Sequence, residues 1–233
     1  MPQRPQPVAP GVFVVGGPAI TDPADCLVYA VDGGTEVALI DCGAGASALQ
    51  ILRNLEEVGL GDRPLGLLVL THRHVDHVGG APAIVDRASP RVACHALDAD
   101  ALVRPDPVST ASSWYGVRLP PIPVDPVLEG EEGAIPLGGT ELRWIHTPGH
   151  TPGSIAVYVD TPAGRVAFAQ DVHGPFLPEF GSDLDRWAVS MERLLALRPD
   201  VLCEGHYGVL RPRDQVERFV RDHLSAQGYG GGG

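Results

Sequence analysis

Three histidines and an aspartate lie within six positions of one short stretch, THRHVDHVGG (Thr71 to Gly80), directly behind the apolar run LGLLVL. Imidazole nitrogens and carboxylate oxygens are the usual ligands of zinc and similar ions when no thiolate takes part. Residues two apart in an extended segment point to the same side, so His72 and His74 can bind one ion. Asp76 and His77 lie past a turn and can face a second ion. The stretch therefore predicts one loop that serves two metals.

Three further metal-ligand candidates follow separate strand candidates. His150 lies in TPGHTPG after ELRWIH, Asp171 follows RVAFAQ, and His206 ends VLCEGH. Ligands at the carboxyl ends of separate strands converge on one edge of a layered sheet, where active sites of strand–helix folds commonly lie. The sequence therefore predicts that these three residues complete the site begun by the histidine-rich loop.

The ordered set THxHxDHxGG, TPGHTPGS, a lone aspartate and GH resembles the seven-ligand pattern of the metallo-β-lactamase superfamily, over Gly11 to Leu224. The resemblance implies an α+β fold, an αββα four-layer sandwich with two sheets between helices. Asp41 in LIDCG matches a recurring strand-end aspartate of the family and is expected to support the metal loop. The resemblance also implies two metal positions, with these ligands: His72, His74 and His150 at the first, Asp76, His77 and His206 at the second, and Asp171 bridging them.

This ligand set predicts two divalent metal ions, with zinc as the first expectation and manganese or iron also open. Two close ions lower the pKa of a shared water, so that a bridging hydroxide can attack a carbonyl while one ion stabilises the oxyanion. Asp76 is expected to orient the hydroxide and to pass a proton to the leaving group. Asp76 and Asp171 are therefore the catalytic candidates among the seven ligands.

The bridging Asp171 argues against the true β-lactamases of the family, which generally lack a bridging carboxylate. Glyoxalase II relatives hold glutathione with basic and tyrosine residues, yet VHGPFLPEFG (Val172 to Gly181) contains no Lys, Arg or Tyr. The tyrosine that N-acyl homoserine lactonases carry three residues after the bridging aspartate is Gly174 here. We predict a binuclear hydrolase of a small carboxylic ester, lactone or thioester. The alternative is a mononuclear, iron-dependent oxidoreductase of the persulfide dioxygenase kind.

A long irregular segment, residues 104–139, interrupts the pattern with many prolines and two adjacent aromatic residues, Trp114 and Tyr115. A connection of this length is uncommon in a compact domain unless it covers a site or is disordered. We expect Trp114 and Tyr115 to form an apolar cover over the metals and to contact the substrate. His173 and Phe176, which follow Asp171, are the other predicted substrate contacts.

Length and composition predict one domain. The 233 residues are 44% hydrophobic, which is ordinary for a globular core. We expect a single metallo-β-lactamase-fold domain over residues 11–226, a flexible N-terminal segment over 1–10 and a flexible Gly-rich tail over 227–233. Four well-separated cysteines without a CxxC pair indicate buried free thiols rather than a disulfide framework.

The charge pattern argues against nucleic acid as a binding partner, because the net charge is −12 and the 17 basic residues are scattered. The N-terminus has no apolar core of signal-peptide length, and no run of about 18 apolar residues occurs, so no membrane contact is expected. A cytoplasmic enzyme with a small-molecule substrate is the resulting prediction. The sequence also allows a homodimer.

The elements that must position these residues fall into two similar β-then-α halves. A helix should begin after Ser47 as its N-cap and end at Gly59, and a second should follow the histidine cluster. Asp183 to Leu197 has the apolar spacing of an amphipathic helix, and Pro212 should open the last helix. The predicted strands are these: GVFVV, CLVYAV, EVALIDC, LGLLVL, RVACHAL, TELRWIH, SIAVYVD, RVAFAQ and VLCEGH.

Overall fold

A computed structural model describes residues 3–229 and contains two β-sheets. The first sheet has seven strands, whose spatial order follows the chain. Its first four strands are antiparallel and its last four parallel. Its strands are β1 (Gln6–Ala9), β2 (Val12–Gly16), β3 (Val28–Asp32), β4 (Val37–Ile40), β5 (Leu65–Val69), β6 (Arg91–His95) and β7 (Val127–Leu128).

The second sheet has six strands in the order β13-β12-β11-β10-β9-β8. All neighbours are antiparallel except β11 and β12, which are parallel. Its strands are β8 (Glu132–Leu137), β9 (Thr140–His146), β10 (Ile155–Thr161), β11 (Gly164–Ala169), β12 (Val201–Glu204) and β13 (Gly208–Leu210).

Six α-helices and one 3-10 turn complete the described chain. They are α1 (Ala48–Glu57), α2 (Val75–Val78), α3 (Ala81–Ala88), α4 (Ala96–Val103), the 3-10 turn Pro178–Phe180, α5 (Leu184–Ala196) and α6 (Arg213–Ala226).

Three apolar layers hold the sheets and helices together. The layer between the two sheets includes Val31 and Phe168. A second layer packs the outer face of the first sheet against α1 and α3, and Ile51 is fully buried there. A third packs the second sheet against α5 and α6 around Trp187 and Val220. Helix, sheet, sheet and helix therefore stack in four layers, and the predicted αββα fold is confirmed.

Central strands and helices follow the local sequence. Strand β4 reads VALI without alternation and is buried throughout, because a central strand in this fold faces an apolar layer on each side. Helix α5 begins after Asp183, whose carboxylate accepts a hydrogen bond from the Arg186 N–H at 3.0 Å. Ser47 precedes α1 as predicted, but its hydroxyl donates to the buried Asp25 instead of capping the helix.

The predicted flexible segment 1–10 is wrong for Gln6–Ala9, which forms β1 and pairs antiparallel with β2. The pairing partner supplies the order that the proline-rich sequence does not suggest. Met1, Pro2 and residues 230–233 lie outside the described residues, so most of the predicted tail is among them. Within the tail, the Tyr229 hydroxyl donates to Asp185 at 2.6 Å.

Two predicted boundaries differ in the middle of the chain. The strand RVACHAL ends at His95, because the His95 side chain accepts the Leu97 N–H at 3.3 Å and α4 begins at Ala96. Within the predicted irregular segment, Val127–Leu128 forms β7 and Glu132–Leu137 forms β8. The described stretch 104–126 keeps irregular backbone, apart from a single bridge of Asp125 to β6.

All four cysteines are buried and free, as predicted. Across residues 3–229, no helix combines the length and the apolar composition needed to cross a membrane.

Candidate metal centre

The histidine-rich loop leaves the carboxyl end of β5 and runs into the short helix α2. His72 and His74 lie in the loop, and Asp76 and His77 lie on α2, all of them buried. Gly80 allows this close packing, since a Cβ there would lie 2.2 Å from the carbonyl oxygen of Cys42. The glycines that end the motif therefore let the loop pack against the end of β4.

Four buried side chains form the first group of ligand atoms. They are His72, His74, His150 and Asp171, whose ligand atoms lie within 4.8 Å of one another. His150 Nε2 is 2.9 Å from His74 Nδ1 and 3.3 Å from Asp171 Oδ2. His72 Nε2 is 3.8 Å from the same carboxylate oxygen. Two imidazole nitrogens therefore face Oδ2 of Asp171, and His74 Nδ1 lies beside one of them.

Asp76, His77 and His206 form the second group on the other side of Asp171. His77 Nε2 and His206 Nε2 each lie 3.2 Å from Asp171 Oδ1. The two nitrogens are 3.3 Å apart, and Asp76 Oδ2 lies 3.4 Å from His206 Nε2. The two oxygens of Asp171 thus face different groups of ligands.

These donors fit metal ions. Ligand atoms about 2.0–2.2 Å from a tetrahedral ion lie roughly 3.3–3.6 Å apart, which is close to most of the separations in both groups. His72 Nε2 and Asp171 Oδ1 are buried without a hydrogen-bond partner within the described chain. Buried polar atoms are normally satisfied, so an orphaned atom facing each group of ligands indicates a cation. The family implies such metals, and the residues present can hold two.

Hydrogen bonds on the outer side of the rings fix the tautomers that metal binding needs. The Nδ1–H of His150 donates to the carbonyl of Pro175 at 2.9 Å, and that of His77 donates to Asp41 at 2.8 Å. With the proton on Nδ1, each Nε2 keeps its lone pair for the centre.

Burial and charge place the groups in forms that can bind a metal. Burial, reinforced by the neighbouring imidazoles, lowers the pKa of His72 and His74, so both rings stay neutral. Burial alone would raise the pKa of Asp171, but His77 and the adjacent imidazoles of His150 and His206 hold it well below its usual range. His72 and His74 are therefore neutral imidazoles beside an ionised carboxylate.

Asp41 supports the histidine-rich loop from the end of β4. It is fully buried and accepts hydrogen bonds from the N–H of Thr71 at 2.8 Å, the hydroxyl of Thr71 at 2.7 Å and His77. Its backbone has φ of +59°, a left-handed conformation that is uncommon outside glycine. The resemblance predicted a supporting role, and Asp41 has the contacts for it.

A cleft of about 170 Å³ lies over the two groups of ligands. Trp114 and Tyr115 line it, as the sequence predicted for the cover, and His173 lines it beside Asp171. Burial, with Asp76 nearby, raises the pKa of Tyr115, so its phenol remains protonated.

The sequence predicts that Phe176 contacts the substrate, but Phe176 does not line this cleft. Its ring packs on Trp187, with centroids 5.0 Å apart, in the layer beneath α5. Phe180, four residues later, lines the cleft instead, 4.3 Å from the His74 ring and 5.0 Å from the Trp114 ring. The loop after Asp171 turns Phe176 inward, and no spacing rule for loops predicts that direction.

Comparison with known proteins agrees with this geometry. Residues 21–206 match the family model described as the metallo-β-lactamase superfamily. The chain belongs to this superfamily.

Several superfamily relatives cover most of the chain. The acyl-coenzyme A thioesterase MBLAC2 of Gallus gallus is 29% identical, over 96% of this chain and 87% of its own length. An uncharacterised protein of Aquifex aeolicus is 31% identical, over 78% and 84%. A hydroxyacylglutathione hydrolase of Cereibacter sphaeroides is 32% identical over 81% of this chain, which spans only 64% of that relative.

Solved structures of the superfamily share the fold. A β-lactamase from Chitinophaga pinensis has a TM-score of 0.75 at 19% identity, covering 97% of this chain and 91% of its own. A metallo-β-lactamase mutant from Cronobacter sakazakii has a TM-score of 0.72 at 24% identity, covering 98% and 88%. At these identities the likeness concerns the fold alone.

Two buried carboxylates near the metal centre were not predicted from the sequence. Asp98 at the start of α4 accepts hydrogen bonds from the Thr151 hydroxyl at 2.6 Å and the Gly153 N–H at 3.0 Å, and thereby fixes the loop that carries His150. Glu204 accepts from His173 Nδ1 at 2.7 Å and from the His206 N–H at 2.6 Å. The only signal for Glu204 is its place in CEGH, two residues before a ligand.

Proposed function

We propose that this protein is a binuclear metal-dependent hydrolase, with zinc as its metal, that cleaves a small carboxylic ester, lactone or thioester. The observation that carries the proposal is that the two oxygens of Asp171 face separate groups of ligands. A mononuclear site has no need of the second group. His77, His206 and Asp76 form this second group beside Asp171, and their presence favours two ions.

Two divalent ions would supply a water of lowered pKa and would polarise the substrate carbonyl. Asp76 lies at the second group and also lines the cleft, so its carboxylate can take a proton from the water and give it to the leaving group. Tyr115 lines the same cleft with a protonated phenol and can donate a hydrogen bond to the substrate carbonyl. Both residues thus act on the reacting bond.

The relatives support an acyl-transfer reaction. One carries the name of an acyl-coenzyme A thioesterase and another that of a hydroxyacylglutathione hydrolase, and both names describe thioester cleavage. The loop that follows Asp171 here lacks Lys, Arg and Tyr, which argues against glutathione as the leaving group. A small-molecule substrate suits the size of the cleft. The cytoplasmic location, the absence of nucleic-acid and membrane partners, and a homodimer stay predictions.

Metal analysis and a substrate panel test the proposal together. We expect close to two zinc ions per chain after reconstitution, and hydrolysis of at least one ester, lactone or thioester without oxygen uptake. Asp171→Asn should lower kcat at least about tenfold, because the amide weakens the bridge between the ions. His223→Ala should match the wild type, since His223 on α6 bonds to the Phe219 carbonyl and is not among the residues that line the cleft.

A stoichiometry that stays at one under saturating metal would contradict the binuclear centre. Oxygen uptake by the iron-loaded protein with glutathione persulfide, combined with no hydrolysis across the panel, would replace the proposal by the persulfide dioxygenase alternative.

A further inference from the structure

A second cleft, of about 390 Å³, opens on the surface beside the metal centre. It lies where the edge strands of the two sheets meet, β1 on the first and β13 on the second. The Arg211 guanidinium spans the two edges and donates to the carbonyl of Val8 at 2.7 Å. Its lining includes Gln6, Val8, His206, Tyr207 and Val209.

The inner walls of this cleft continue the apolar layer between the sheets. Val8, Val14 and Ile20 belong to that layer, and Leu27 and Val209 pack against it. Polar groups lie around these walls, and the lining contains no aspartate or glutamate. In a chain of net charge −12 the cleft is therefore a local apolar region without acidic groups.

His206 connects this edge cleft to the metal centre. It lines both clefts, and its side chain is 33% exposed. His206 Nε2 faces Asp171, and its neighbour Tyr207 lines the edge cleft. His206 therefore lies between the two clefts, next to the carboxylate of Asp171.

We propose that the edge cleft binds an unbranched aliphatic acyl chain of the substrate, while the aromatic cleft beside Trp114 receives the leaving group. The proposal rests on the hydrolase function proposed above. Aliphatic walls stabilise methylene groups by removing them from water and offer few partners to a polar ligand. The N-terminal strand β1, expected to be flexible, then forms one wall of a substrate site.

A series of N-acetylcysteamine thioesters, from acetyl to octanoyl, tests the proposal on the zinc-loaded enzyme. We expect kcat/KM to rise about two- to fourfold for each added methylene until the cleft is filled. Val209→Trp should reduce the octanoyl-to-acetyl ratio of kcat/KM towards one, because the indole occupies the cleft. Gln6→Trp should do the same from the exposed rim, where the added ring cannot overpack the core.

Val103→Trp is the matched control, since Val103 is 46% exposed at the end of α4 and lines neither cleft. It should leave the chain-length series unchanged. Circular dichroism and zinc content establish that each variant is folded.

Calorimetric titration of the zinc-loaded protein with 1-octanol separates this inference from the proposed function. The wild type should bind octanol, and both cleft variants should bind it at least about tenfold more weakly. This result is expected even if no substrate is hydrolysed. A flat acyl series in an active enzyme, or octanol binding that survives both variants, would each overturn the acyl-chain site.

Discussion

At the level of single residues, the partners of each buried carboxylate separate the metal ligands from the supporting groups. Both oxygens of Asp41 accept hydrogen bonds from N–H or O–H donors, so this carboxylate is satisfied within the protein. Asp171 instead faces imidazole nitrogens, and its Oδ1 has no hydrogen-bond partner within the described chain. Burial alone would lower the pKa of His77, but Cys26 and the carboxylates of Asp171 and Asp76 outweigh it and raise that pKa. A cation is therefore stabilised at the same place.

Glu204 should act on the substrate through His173. Its carboxylate accepts a hydrogen bond from His173 Nδ1 at 2.7 Å. This bond orients the His173 ring, which lines the cleft beside Asp171. We expect Glu204→Gln and His173→Phe each to lower kcat/KM about tenfold, roughly 1.4 kcal/mol. If Glu204 works through His173, the double variant should be no worse than Glu204→Gln alone.

Zinc content measured beside the kinetics distinguishes this role from damage to the centre, because Glu204 also accepts the His206 N–H. His223→Ala serves as the histidine control. Additive losses in the double variant would show that the two residues act independently.

Six of the seven ligand candidates stand in short motifs and Asp171 follows a predicted strand, so the sequence could predict that these side chains come together, but it could not predict their supporting contacts. Glu204 and His173 lie 31 positions apart, and neither has a motif of its own. Phe180 lines the cleft, whereas the predicted Phe176 packs on Trp187. This difference depends on how one loop turns, and local spacing does not determine that turn. Side chains fixed by long-range packing are therefore visible only in the folded chain.

At the level of elements, the ends of strands place the chemistry. Asp41 follows β4 in the first sheet, and Asp171 lies two residues beyond β11 in the second. Both have positive φ, +59° and +52°, a conformation that turns the chain sharply at a strand end. Each half therefore places an aspartate at a similar bend. Asp41 supports the histidine-rich loop, and Asp171 faces both groups of ligands.

Elements with weak local signals escaped prediction for physical reasons. Strand β1 has four residues in a proline-rich segment, and its order comes from pairing with β2. Strand β8 contains Pro136, which an edge strand tolerates because one side of its backbone needs no partner. Helix α4 begins in a sequence with the apolar residues of a strand, so the capping contact of His95 decides its start.

The irregular stretch 104–126 should contribute to substrate binding through Trp114. The indole is 58% exposed and packs on Phe180 at the cleft. We expect Trp114→Ala to raise KM about five- to tenfold for substrates with an apolar group beside the reacting bond, with zinc content unchanged, because the loss is apolar contact area. Steady-state kinetics over the substrate panel would measure it.

Val117→Ala is the matched control for Trp114→Ala. Val117 is 45% exposed in the same stretch but does not line the cleft. Equal kinetics for Trp114→Ala and Val117→Ala would mean that the stretch is only a connection.

At the level of the whole molecule, the candidate centre joins the two halves of the sandwich. His72, His74, Asp76 and His77 follow β5 of the first sheet. His150, Asp171 and His206 follow strands of the second. Ions held by both groups would link the halves at the edge where the strands end. Metal binding should therefore stabilise the whole fold and not one loop alone.

Zinc should raise the midpoint of thermal unfolding. A ligand that binds the folded state alone at a hundred times its dissociation constant adds about 2.7 kcal/mol. For a chain of this size, that corresponds to a rise in Tm of roughly 5–10 °C. Differential scanning calorimetry with zinc or with EDTA would measure it. Asp171→Asn should show a smaller rise because it loses the residue common to both groups, and His223→Ala should show the full rise. Equal Tm values with and without zinc in the wild type would show that the seven residues do not link the halves through metal.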